Sequence, residues 1–183
     1  MNFITKTFNY VDFETNLLRE NIQLLSYSLI CFLIPFILGH PQLLVGSIVN
    51  CGLILAALNL KFNKVLPVIL IPSIGVISAG LLFGTYTYFL LYLVPFIWMG
   101  NTILVWGIKY FNLEKKKNYI ISLILSSSIK TLFLFSSISL LVLFNVVPVA
   151  LLGAFGIFQL YTALIGGTMA FGIQKILKIK SNN

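Results

Sequence analysis

Acidic residues are nearly missing from this chain. Its 183 residues include 4 Asp and Glu against 12 Lys and Arg, and 9% are charged in all. Soluble domains carry about 25% charged residues, so a soluble globular domain is excluded. Paired carboxylates, a nucleophile elbow, a Walker loop and metal-ligand spacing are also missing. No enzyme, no catalytic residue and no ATP-binding apparatus of its own are therefore expected. The 2 cysteines, Cys31 and Cys51, stand alone within apolar runs. They form neither a CxxC pair nor a cluster site and read as small core residues, so no cofactor and no metal is expected. The first stretch, MNFITKTFNYVDFETNLLREN, has no apolar region of signal-peptide type.

Apolar residues are plentiful: 59% of the chain is hydrophobic, with a mean hydropathy of +1.03. A bilayer core of about 30 Å requires about 20 apolar residues in a helix. The runs predict an all-α, polytopic membrane protein built as one six-helix bundle. The spans fall at about 22–38, 43–60, 65–83, 88–108, 119–147 and 149–177. Ile4, Phe8, Val11, Leu18 and Ile22 recur at helical spacing. Residues 1–21 thus read as an interfacial amphipathic helix, or alternatively as a disordered tail; residues 178–183 read as a tail. Gly75 with Ala79, and Gly80 with Gly84, are small-xxx-small pairs suited to close helix contact.

The formal charge of +8 invites a nucleic-acid reading, but its distribution does not support one. Lys6 and Arg19 precede span 1, Lys61 and Lys64 separate spans 2 and 3, Lys109 and Lys115 to Lys117 separate spans 4 and 5, and Lys175, Lys178 and Lys180 lie at and beyond the end of span 6. These groups build no aromatic-laced basic face. The opposite links, GHPQ, GTYTY and NVVP, carry no lysine or arginine. The positive-inside rule then places both termini in the cytoplasm of a cell-membrane protein whose partner is the lipid bilayer.

Lys130 alone breaks the pattern, lying midway along span 5. An ammonium at that depth costs at least ~2.5–3.5 kcal/mol on insertion scales. At about 1.5 Å per residue, Asn50 in span 2, Asn101 in span 4 and Gln159 in span 6 lie in a similar slab. Turning all four inward lets amide oxygens accept from the ammonium. No acid lies in any span, because Asp12, Glu14, Glu20 and Glu114 all fall outside them. Three outcomes stay open: carbonyl-type acceptors stabilise Lys130, it is neutral at rest, or an anionic ligand supplies the countercharge. A second polar set nearer the outside comprises His40, Gln42, Thr85, Tyr86, Thr87 and Tyr88. Its tyrosines suit an aromatic belt, and His40 reads as an interfacial loop residue or as a ligand contact.

Three phrases, HPQLLVGSIVN (His40–Asn50), VPFIWMGNTILV (Val94–Val105) and FQLYTALIGG (Phe158–Gly167), resemble a group of short bacterial proteins of unassigned substrate. That group is similar to the substrate-binding S components of energy-coupling factor (ECF) transporters. Some of its members carry the label iron hydrogenase, for which two isolated cysteines offer no chemistry. The resemblance implies a site open to the outside, a membrane-embedded coupling subunit and two cytoplasmic ATPases as partners. It adds Thr162 to the candidate substrate-binding set of Lys130, Asn101, Gln159, Asn50, Gln42 and His40. The small anionic or carboxylate-bearing ligand is read from the uncompensated charge of Lys130. One departure stands out: S components usually carry a small-xxx-small docking motif on the first helix. Span 1 offers only Ser26, Ser28 and Cys31, whereas span 2 has Ser47 with Cys51 and Gly52 with Ala56. Either the docking surface is shifted or that partner is not used. The reading from a different functional class is a non-transporting scaffold whose polar residues knot the helices together.

Overall fold

Long apolar runs build the main helices of the computed structural model, which describes residues 3–38, 40–80 and 84–182. All regular elements among these are helical: α1 (Phe3–Phe8), α2 (Leu17–Ile37), α3 (Gln42–Asn59), α4 (Phe62–Ala79), α5 (Leu90–Ile108), α6 (Tyr119–Leu143), α7 (Leu151–Phe155) and α8 (Ile157–Asn182). A 3-10 turn, Gly84–Phe89, leads into α5, and a π-helical turn, Lys109–Glu114, continues from it. Among the described residues, five stretches are long and apolar enough to cross a membrane: Leu17–Ile37, Gln42–Asn59, Tyr86–Glu114, Tyr119–Leu143 and Leu151–Ile179. The apolar stretch of α4, Asn63–Ala79, is shorter; residues 81–83, the expected end of that span, lie outside the described residues.

Local chemistry sets the helix ends. Asn16 accepts from Arg19 N at 3.0 Å to start α2, and Asn118 accepts from Ile120 N at 2.8 Å to start α6; short polar side chains at this position satisfy orphan amides. Gly80 stops α4 with φ +66°, a left-handed conformation that glycine adopts without steric cost. Gly80 is therefore a cap, with nothing among the described residues within 4 Å of where its Cβ would lie. Gly75 does pack: a Cβ there would meet the Phe32 carbonyl of α2 at 2.6 Å.

Helix α3 is central, touching α2, α4, α5 and α8, and every residue from Asn50 to Leu60 is buried. Its small residues are consumed inside the bundle. A Cβ on Gly52 would meet Cys31 Sγ at 2.7 Å, while Gly166 of α8 abuts the Ser47 carbonyl and the Cys51 amide. The span-2 motif thus faces neighbouring helices of its own chain. Outward, α2 exposes Leu18, Ile22, Leu25, Leu29 and Ile37, as expected of a face that meets lipid acyl chains.

The stretch before α2 is not a single helix. The six-residue α1 ends with Thr7 and Phe8 buried, and the chain beyond it runs under one end of the bundle. Asp12 N donates to the Leu58 carbonyl at 2.7 Å, and the Asp12 carboxylate meets Lys178 Nζ at 2.8 Å. The N-terminal segment and the end of α8 therefore share one face.

Candidate functional site

Four helices bring six of the seven predicted polar residues to one cavity. Proline and glycine do much of the positioning. Pro72 leaves the Val68 carbonyl without its helical amide and loosens the turn before it. In that turn the Ile69 carbonyl accepts from Asn101 Nδ2 at 3.2 Å, and the Leu70 carbonyl from Trp98 Nε1 at 3.2 Å. Gly100 lets α5 approach Leu134 of α6, where a Cβ would fall 2.9 Å from the leucine Cγ. Leu134 is one turn beyond Lys130, so this contact seats Asn101 and Lys130 on the same void. A Cβ on Gly46, one turn from Asn50, would likewise fall 2.8 Å from the Thr162 methyl.

The cavity so formed has a volume of about 90 Å³ and is lined by Gln42, Asn50, Asn101, Lys130, Gln159 and Thr162, with Ser73 and an apolar wall that includes Val76, Leu134 and Phe155. Lys130 is 2% exposed. Its Nζ donates to Asn50 Oδ1 at 2.7 Å; Asn50 Nδ2 donates to Thr162 Oγ1 at 3.1 Å; and Thr162 Oγ1 donates to the Gln159 carbonyl at 3.2 Å. Amide and hydroxyl thereby relay between the ammonium and a main-chain oxygen on α8. Asn50 is the only hydrogen-bond acceptor that Lys130 reaches among the described residues, so two of its three N–H donors point at no protein oxygen.

Gln159 and Thr162 reach this position because the last helical stretch is broken. Gly156, at φ −100° and ψ −107°, separates α7 from α8, and α8 restarts with Phe158 and Gln159 on the cavity. A helix start carries partial positive charge from its unpaired amides. It adds to the field of Lys130, and no acid lines the cavity. Gln42 also lines the cavity, its Nε2 donating to the Ala154 carbonyl of α7 at 3.4 Å.

Two expectations of proximity come out differently. His40 is exposed and does not line the cavity. Asn101 lines it but spends its amide on Ile69 rather than on Lys130. Ser73 was missed: its hydroxyl accepts from Trp98 Nε1 at 2.7 Å and donates to the Leu70 carbonyl at 2.8 Å. The signal was Ser73 immediately after Pro72, a hydroxyl beside an interrupted ladder. Ser127 and Thr131, flanking Lys130 on α6, hold buried hydroxyls with no partner among the described residues. No three His, Cys, Asp or Glu side chains among the described residues could hold a metal ion.

Comparison of the chain with protein-family models, curated proteins and solved structures finds no match.

Proposed function

We propose that this chain is a membrane-embedded substrate-binding subunit for uptake of a small anionic or carboxylate-bearing nutrient. One observation carries the reading: a buried lysine on a cavity, with unspent donors and no carboxylate. An anionic ligand supplies the missing charge, with Lys130, Asn50, Gln159 and Thr162 around it and Gln42 and Asn101 at its margins. The broken α7–α8 segment fits the same chemistry, since interrupted membrane helices aim their positive ends at anionic substrates. The volume of about 90 Å³ is several-fold below the roughly 300–1,000 Å³ typical of ligand pockets. The ligand therefore has few heavy atoms, or a vitamin-sized one enters by separating the helices.

On this reading α2, α3, α4, α5, α6 and the α7–α8 pair make six crossings of a cell membrane. The shared face of the N-terminal segment and the end of α8 supports an even number, and the lysine distribution supports a cytoplasmic position for that face. The resemblance to ECF S components supplies the partners: a membrane-embedded coupling subunit and two cytoplasmic ATPases. With the small residues of α3 used internally, that subunit docks elsewhere on the bundle.

The test is co-expression with a coupling module, followed by native mass spectrometry of protein purified from its own membrane. The reading expects a stable complex and a small anion retained by the wild type and lost from Lys130→Met. Failure to form any complex, together with no retained molecule, overturns it. The alternative, a non-transporting scaffold, is favoured by the relay from Lys130 through Asn50 and Thr162 to the Gln159 carbonyl. It expects Lys130→Met to change nothing that the cell imports.

A further inference from the structure

At the end of the bundle where the N-terminal segment and the end of α8 meet, a second cavity of about 430 Å³ is lined by Lys116, Lys117, Lys175, Lys178, Asp12 and Gln174. Its charge is not balanced. Asp12 is the one acid on it, and that carboxylate is already engaged, one oxygen with Lys178 Nζ at 2.8 Å and the other with Gln174 Nε2 at 2.8 Å. The chain's remaining acids are committed elsewhere: Glu14 to Lys61, Glu20 to Lys64, and Glu114 to the Thr7 hydroxyl. Lys116, Lys117 and Lys175 are left without a carboxylate among the described residues.

The lysines are held by the fold. The π-helical turn closes with Lys115 N donating to Tyr110 O at 2.8 Å and Lys117 N to Phe111 O at 2.9 Å, which presents Lys116 and Lys117 beside the end of α8. Lys117 Nζ lies 5.4 Å from the centre of the Phe111 ring, and Lys175 Nζ 4.5 Å from that of Phe171. Leu58, Leu113 and Phe171 provide an apolar wall.

We infer that this cavity binds a phosphate-bearing anion, presented either as a phospholipid headgroup at the membrane rim or as a free phosphate compound. Three uncompensated ammonium groups on one concavity suit a group with several charged acceptor oxygens, and basic pockets between membrane helices hold anionic headgroups by the same chemistry. The apolar wall favours the lipid source, because a glycerol ester and the first acyl carbons lie beside a headgroup. The site is separate from the Lys130 cavity, and its test is independent of that reading.

The experiment is native mass spectrometry of the full chain in neutral detergent, with phosphatidylglycerol, phosphatidylcholine, inorganic pyrophosphate or tetraglutamate added in turn. Wild type and the variant K116Q/K117Q/K175Q are compared, leaving Lys178 on Asp12. Each lysine near an anionic surface contributes about a factor of five, so the triple variant is expected to lose affinity by on the order of 100-fold. Preference for phosphatidylglycerol over phosphatidylcholine, lost in the variant, assigns a headgroup site; retention of pyrophosphate, lost in the variant, assigns a free-phosphate site. Equal retention by wild type and variant overturns the inference. So does a preference for tetraglutamate over both phosphate probes, which makes the cavity a docking point for an acidic protein segment. Should the triple variant fail to fold, K116Q/K117Q and K175Q are measured separately against the same outcomes.

Discussion

Lys130 Nζ and Asn50 Oδ1, on residues 80 apart in sequence, meet at 2.7 Å in the middle of the bundle. Among the described residues a neutral amide oxygen is the sole acceptor for a buried ammonium, so the pair satisfies a hydrogen bond without balancing a charge. Lys130→Met removes a group whose burial costs at least ~2.5–3.5 kcal/mol on insertion scales. It also orphans the Asn50 carbonyl, at about 1–3 kcal/mol. These effects offset, and stability is expected to move by less than about 2 kcal/mol. Lys130→Met with Asn50→Leu, which removes both partners, is expected to melt at or above the wild type in detergent. A large fall in that double variant shows that the pair holds the fold together.

Asn50→Asp puts a carboxylate where the amide oxygen now sits, within contact of the ammonium. The countercharge then belongs to the protein, and an anionic ligand meets repulsion in place of attraction. Retention of the anion is expected to fall at least tenfold, a change of about 1.4 kcal/mol, while the protein still folds. Unchanged or tighter retention in native mass spectrometry rejects the anionic ligand.

Lys109 is a second buried lysine, with no exposed surface. Its Nζ donates to the Tyr10 carbonyl at 2.6 Å and the Leu60 carbonyl at 2.8 Å, tying the N-terminal segment to the end of α3 and the start of the π-helical turn. Lys109→Met leaves two carbonyls without a donor, each at about 1–3 kcal/mol, offset in part by removal of the charge. A net loss of roughly 2–4 kcal/mol is expected, with faster hydrogen exchange at Phe8 and Asp12. Wild-type exchange there shows that the segment stays in place without the lysine.

Lys109 also marks where sequence reading reaches its limit. The long spans were legible because an apolar run with a polar cap has one solution in a membrane: the expected starts at 43 and 119 match α3 and α6 to within a residue. Depth alone brought Lys130, Asn50, Asn101 and Gln159 to one cavity, since unpaired polar groups in lipid are too costly to face outward. Lys109 read as part of the charged loop KYFNLEKKKN because its burial depends on the N-terminal segment folding back across 99 residues, a contact with no local periodicity. The same holds for Asn59, Gln174 and Asp12, which hydrogen-bond in series at 2.9 and 2.8 Å beneath the bundle. The break at Gly156 was hidden because a glycine within a glycine-rich apolar run carries no sign of which one interrupts the helix.

Two glycines of α8 give opposite expectations for one substitution. At Gly166 an added Cβ overlaps the Ser47 carbonyl, lies 2.7 Å from the Cys51 amide nitrogen and 3.0 Å from Asn50 Cβ. Two of these atoms are backbone and cannot rotate aside, so α3 and α8 must separate. Overpacking of this kind costs about 1–3 kcal/mol, and the displaced atom of Asn50 carries the acceptor for Lys130. Gly166→Ala is therefore expected to lower the melting temperature and weaken retention of the anion together. At Gly172 nothing among the described residues lies within 4 Å of the added Cβ, and Gly→Ala within a helix stabilises by roughly 0.5–1 kcal/mol. Gly172→Ala is expected to melt slightly above the wild type with retention unchanged. Melting curves and native mass spectra of the two variants check both halves; if Gly166→Ala behaves like Gly172→Ala, α3 and α8 do not meet at this separation, and the Asn50–Thr162 hydrogen bond loses its geometric basis.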